Sequence, residues 1–98
     1  ASENKFSKIQ MVNAASDLLA VMDYEETLQS LNSTRIENQT NELLSQAYQI
    51  RILIETNNNN TMDVGGLAPQ GSFVATGKRY FTNGTVYGEV TYWIWPRQ

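Results

Sequence analysis

The chain has 98 residues, a formal net charge of −3 and a sequence pI of about 4.7, with no cysteine and no histidine. That length holds one domain with a modest core, while the missing residue types exclude a disulfide framework, a zinc–thiolate site and the commonest general base. The acidic balance argues against nucleic acid, whose phosphates need a basic face.

The chain opens Ala1-Ser2-Glu3-Asn4 rather than on methionine, which reads as a processed or excised form, and no apolar run is long enough to span a bilayer. From Phe6 to about Met22 the apolar positions Phe6, Ile9, Val12, Ala15, Leu18, Leu19 and Met22 recur at threes and fours without an internal Gly or Pro, which predicts an amphipathic helix. The stripe is wide near Leu18–Met22 and thin at its start. The C-terminal half is therefore expected to pack on the domain, while Ala1–Lys8 projects or frays, or else is the stub of a longer helix. Asp23-Tyr24-Glu25-Glu26 interrupts the pattern, Leu28 and Leu31 offer one more turn, and Asn32-Ser33 breaks it. Thr34-x-x-Glu37 has the form of a capping box opening a helix from Arg35 to Gln46, which would bury Ile36, Leu43, Leu44 and Ala47.

Tyr48–Glu55 alternates as a strand, with Tyr48, Ile50, Ile52 and Ile54 on one face. The asparagine run 57–60, Gly65-Gly66 and Pro69 then mark a mobile surface loop over residues 56–70. Two β-rich runs follow, Gly71–Phe81 and Thr85–Trp95, joined by Asn83-Gly84, whose tolerance of positive φ suits a two-residue type I′ turn. That turn implies a register in which Phe81 faces Val86, Tyr80 faces Tyr87, Lys78 faces Glu89, Thr76 faces Thr91 and Val74 faces Trp93. One face would carry Phe73, Ala75, Gly77, Phe81, Val86, Gly88, Val90, Tyr92 and Ile94 toward the helices, with Arg79 a misfit that belongs at the rim. The expected fold is α+β: an N-terminal amphipathic helix and one or two short helices on a three-stranded antiparallel sheet that ends in the hairpin. The first strand could pair beside either of the other two.

Four Asn-x-Ser/Thr sequons, at Asn32, Asn38, Asn59 and Asn83, exceed the one or two that composition alone would give. They read as N-glycosylation sites on an exported surface, or as the by-product of a chain rich in Asn and Thr. Trp93 and Trp95 alternate onto one sheet face with Tyr87 and Val74. This is either an aromatic contact surface for glycan or protein, or a face that is buried or covered by the 56–70 loop. The acidic residues Asp23, Glu25, Glu26 and Asp63 fit no calcium-loop spacing, and the hydroxyl side chains have no histidine to activate them. No enzyme activity, metal or cofactor is expected.

The run Ala15-Ser16-Asp17-Leu18-Leu19-Ala20-Val21-Met22-Asp23, then Leu28-Gln29-Ser30-Leu31, Glu42-Leu43-Leu44, the strand from Tyr48, Gly77-Lys78-Arg79-Tyr80-Phe81 and the Trp-rich final strand together resemble the globular domain of archaeal type IV pilin-like proteins with class III signal peptides. The likeness covers most of the chain as an arrangement and loose pattern, without an invariant motif. It implies a head domain whose N-terminal hydrophobic helix anchors a membrane precursor, is processed, and then packs with other pilin subunits in the core of a cell-surface filament. It also implies that Phe6–Met22 continues that helix, that the sequons face outward, that no residue is catalytic, and that the head alone is monomeric.

Overall fold

The computed structural model describes residues 2–98, and for residues 2–4 and 6 the backbone alone. Ala1 and the side chain of Phe6, the first position of the predicted stripe, lie outside the described residues. Three helices, α1 (Ser2–Tyr24), α2 (Thr27–Ser30) and α3 (Ser33–Leu43), cover one face of a single antiparallel sheet. The sheet has four strands, β1 (Tyr48–Thr56), β2 (Thr61–Val64), β3 (Ala75–Thr82) and β4 (Tyr87–Pro96), in the order β2-β1-β4-β3. The α+β class is as expected; the strand count is four rather than three.

The extra strand comes from the stretch expected to be a mobile loop. Thr56 N donates to Asn60 O at 2.9 Å, and Asn59 N to Thr56 O at 3.1 Å. Asn59 itself sits at φ 64°, the left-handed position that closes a three-residue hairpin and that Asn tolerates. The asparagine run is thus a hairpin turn, and Ile52 and Ile54 pair with Val64 and Met62 on β2. Between β2 and β3 residues 65–74 are irregular, so the strand expected from Gly71 begins only at Ala75. β1 lies beside β4, which settles the open pairing.

The β3–β4 hairpin keeps its predicted sidedness and changes its register by two residues. Phe81 faces Gly88, Tyr80 faces Glu89, Lys78 faces Thr91, Gly77 faces Tyr92 and Thr76 faces Trp93, in place of the pairs expected from an Asn83-Gly84 turn. The central turn residues are Gly84 and Thr85, with only Gly84 at positive φ (97°). That places glycine first, as in a type II′ turn. Asn83 stays outside the centre: its N–H donates to Val86 O, and its Oδ1 accepts Val86 N–H, both at 2.9 Å. The observed register seats two rings over two glycines. A Cβ added to Gly77 would meet the Tyr92 ring, and one added to Gly88 would come within 3.0 Å of Phe81 Cζ. Covering a strand glycine with a cross-strand aromatic restores the apolar contact that glycine cannot make. Because the slip is even, no side chain changes face.

The core lies between α1 and the inner sheet face. Met11, Leu18, Leu19 and Met22 of α1, with Leu28 and Ile36, bury against Ile50, Ile52, Ile54, Ala75, Phe81, Val90, Tyr92 and Ile94. The Ser16 side chain of α1 lies near the Tyr92 hydroxyl, and Asp23 pairs with Arg79 at 3.2 Å, so α1 runs toward the Gly84 tip. Arg79 shares the inner face by register and reaches the rim to find that partner, which resolves its apparent misfit. At the opposite end Lys5 and residues 7–10 are exposed, and Met11 is the first buried position among the described side chains.

The helix after α2 differs from the sequence reading. Its N-cap is Asn32, whose Oδ1 accepts Arg35 N–H at 3.1 Å, so Thr34 lies inside the helix and no Thr34–Glu37 box forms. Asn is a better cap than Thr, and it stands two residues earlier. The helix ends at Leu43, leaving Leu43 and Ala47 exposed and Leu44 half-buried; only Ile36 of the predicted stripe is fully buried. Glu26 and Leu31 flank α2 at φ 59° and 50°, two left-handed non-glycine positions that turn the chain sharply between α1 and α3.

Candidate functional site

The outer sheet face is built by the residues that alternate away from the core. In rows across the strands it presents Gln49 and Trp95; Arg51, Trp93 and Thr76; Asp63, Leu53, Thr91 and Lys78; then Glu55, Glu89 and Tyr80. Tyr87 follows near the tip, opposite Thr82. The three aromatics singled out from the sequence do share this face, but they do not form one surface.

Trp95 is 3% exposed, and its Nε1–H donates to Gln49 Oε1 at 3.2 Å on the neighbouring strand. A ring so enclosed is a packing element and has no free face for a ligand. Beside it opens a cleft of about 570 Å³, walled by Leu44 and Asn41 of the α3 end, Leu67 and Pro69 of the 65–74 segment, and Arg97. Arg97 is already engaged, its guanidinium donating to Gln46 O at 2.9 Å. Trp93 is half-buried, with the Arg51 guanidinium 4.7 Å above its ring centroid, a cation–π arrangement. Arg51 is fixed there by a two-pronged pair to Asp63, at 3.0 and 2.6 Å. The hydrogen bond from Arg51 is the main cause holding the Asp63 carboxyl below its ordinary value, with burial opposing it and charge attraction adding to it. Tyr87 is 58% exposed, but six residues along β4 place it about 20 Å from Trp93. Between them lie the Lys78–Glu89 ion pair at 2.6 Å, now a diagonal contact, and the exposed Tyr80.

Arg51 and Gln49 are the residues that sequence reading missed, and Asp63, weighed there only as an acidic side chain, joins the face through Arg51. The only signal for Arg51 and Gln49 was strand parity with Trp93 and Trp95, which acts only once β1 is known to flank β4.

All four sequon asparagines are exposed, in three different settings. Asn32 caps α3, and Asn38 lies inside that helix. Asn59 and Asn83 occupy two hairpin tips at one end of the sheet. Asn57 ties these tips together: its N–H donates to Tyr87 O at 2.8 Å, its Oδ1 accepts Tyr87 N–H at 3.1 Å, and its Nδ2 reaches Thr85 O at 3.4 Å.

Three of the four acidic side chains weighed from the sequence are occupied in structural contacts. Asp23 accepts from Arg79 and Gln29, Glu25 from Gln39, and Asp63 from Arg51. Among the described residues no group of three or more acidic side chains gathers as a metal-binding set, and no helix is long and apolar enough to cross a membrane.

Fold and surface together define an α+β domain with a helical layer on one face of an antiparallel sheet, an open opposite face, and a first helix longer than its seat. No family model matches the chain, and neither a curated protein nor a solved structure shows significant similarity to it.

Proposed function

We propose that this chain is the head of a non-enzymatic structural subunit, pilin-like or pseudopilin-like, of an archaeal cell-surface filament of the type IV pilus kind. The observation that supports this best is the division of α1. It is one unbroken helix of 23 residues, yet among its described side chains the fully buried ones run from Met11 to Met22, and Ile9 is left exposed. A helix that extends beyond the sheet it packs on suits a subunit joined to its neighbours through a helical stem. The resemblance in element order and residue pattern points the same way. In this reading the precursor is membrane-anchored through a hydrophobic N-terminal segment, that segment packs with other subunits after processing, and the head faces the exterior. The sequons at Asn32, Asn38, Asn59 and Asn83 then lie on the outside of the filament. The isolated head is monomeric because the assembling element is the stem.

The test is immunogold labelling of intact cells that express the chain, with antibody raised against the head. Regular labelling along surface filaments is expected. Label confined to the cytosol, or spread over the envelope with filaments bare, would overturn the reading.

The alternative is a membrane-tethered or secreted binding module that uses the aromatic sheet face for glycan or protein contact. Its specific support is the exposure of Tyr80 and Tyr87 on the outer face, since Trp95 is enclosed and Trp93 is capped by Arg51. Loss of ligand capture in Tyr87→Ala, with the fold retained, would favour it.

A further inference from the structure

The β3–β4 tip has chemistry that neither its role as a turn nor its sequon uses. Of the ten asparagines in the chain, only Asn83 is followed by glycine. Succinimide formation at such a pair is favoured by three things: an accessible amide nitrogen on the following residue, a polarised side-chain carbonyl, and no side chain screening that nitrogen. The tip supplies all three. Gly84 N–H donates not to a backbone carbonyl but to the Thr82 hydroxyl, at 3.0 Å, on the exposed side of the strand end. Asn83 Oδ1 accepts Val86 N–H at 2.9 Å, which draws electrons from Cγ as an oxyanion-type donor does. Gly84 carries no side chain, and nothing lies within 4 Å of where a Cβ would stand, so its amide is unscreened on that side.

We infer that Asn83-Gly84 is a self-modifying site at which the folded turn promotes conversion of asparagine to aspartate and isoaspartate. Gly84 N attacks Asn83 Cγ and forms the new N–C bond, while its proton passes by way of the Thr82 hydroxyl to solvent. Nδ2 takes a proton from solvent, the Cγ–Nδ2 bond breaks and ammonia leaves, which completes the succinimide. Water adds to either ring carbonyl and reopens it, as aspartate or as isoaspartate. No redox partner is needed.

Each product alters the tip differently. Aspartate keeps an acceptor for Val86 N–H and adds one negative charge to the formal −3 of the chain. Isoaspartate inserts a methylene into the main chain, which displaces the Asn83 N–Val86 O closure and strains the Asn57 contacts to Thr85 and Tyr87. The reaction and the sequon also compete. A glycan on Asn83 would occupy the same Nδ2 and replace ammonia with a bulky leaving group, so the two modifications exclude one another. The inference stands whether or not the filament reading is right.

The experiment follows the purified, unglycosylated chain in mildly alkaline buffer. Peptide mapping reads the amide-to-acid mass change, and enzymatic methylation of isoaspartate counts that product. A peptide spanning residues 79–89 serves as the unfolded reference. Conversion in the folded chain should concentrate at Asn83 and run faster than in the peptide. Thr82→Val, a surface change, should slow it about fivefold, the effect of one neutral hydrogen bond. It should leave the peptide rate unchanged. Folded-chain conversion at or below the peptide rate, or a Thr82→Val rate within twofold of the parent, would overturn the inference.

Discussion

Gly77→Ala tests the observed hairpin register directly. A Cβ at Gly77 would lie 2.5 Å from Tyr92 Oη and 2.7 and 2.8 Å from its Cζ and Cε2, whereas comfortable carbon contacts begin at about 3.5 Å. The ring has little freedom to retreat, because Tyr92 is buried in the core beneath α1. Overpacking of this kind costs about 1–3 kcal/mol, and the better strand propensity of alanine offsets about 0.5–1 kcal/mol of it. A net loss of about 1–2 kcal/mol should lower Tm by about 5–15 °C in a domain of this size. The assay is urea and thermal unfolding followed by circular dichroism, with Gly66→Ala as the control, since nothing lies within 4 Å of a Cβ there. In a Tyr92→Leu background the ring is gone, and Gly77→Ala should cost at least about 1 kcal/mol less than in the parent, a coupling that only contacting residues show. In the register expected from an Asn83-Gly84 turn, Gly77 would face Val90 and no such coupling would exist. Equal costs for Gly77→Ala in both backgrounds would refute the seating of Tyr92 on Gly77.

Three further outcomes follow from the same contacts. Asn32→Ala should destabilise by about 1 kcal/mol through loss of the α3 cap, while Thr34→Ala stays near neutral; the reverse order in equilibrium unfolding would restore the Thr34 box. Trp95→Ala should cost about 3–5 kcal/mol as a buried aromatic, and Trp93→Ala distinctly less; a Trp95 variant of undiminished stability would show that its ring is not enclosed. Burial pushes the Tyr92 hydroxyl above its ordinary value, with the nearby Ser16 side chain opposing. Below about pH 10 both folded and unfolded chains keep that proton, and above it the unfolded chain ionises first, so stability falls as pH rises. Lys78, held above its ordinary value chiefly by its hydrogen bond to Glu89, loses its pair in the same direction. The alkaline limb should therefore flatten, without vanishing, in Tyr92→Phe; an unchanged limb would remove Tyr92 as its source.

Hydrophobic periodicity in the sequence by itself determined the amphipathic first helix, the strand from Tyr48 and the two faces of the hairpin, because residue alternation fixes which side chains can share a buried surface. It also marked a turn at Asn83-Gly84, while Asn59 was expected only in a loop. Tertiary structure alone decided the rest. The asparagine run became a hairpin because Thr61–Val64 found an edge of β1 to pair with, an event no local pattern encodes. The hairpin register moved by two because Phe81 and Tyr92 gain more over Gly88 and Gly77 than an Asn-Gly turn gains locally. The aromatic face likewise depended on neighbours from elsewhere in the chain. Gln49 and Arg51, delivered by β1 against β4, enclosed Trp95 and capped Trp93, turning two apparent contact residues into packing elements. Local sequence fixes which way a side chain points; only the partner strand fixes what it meets there.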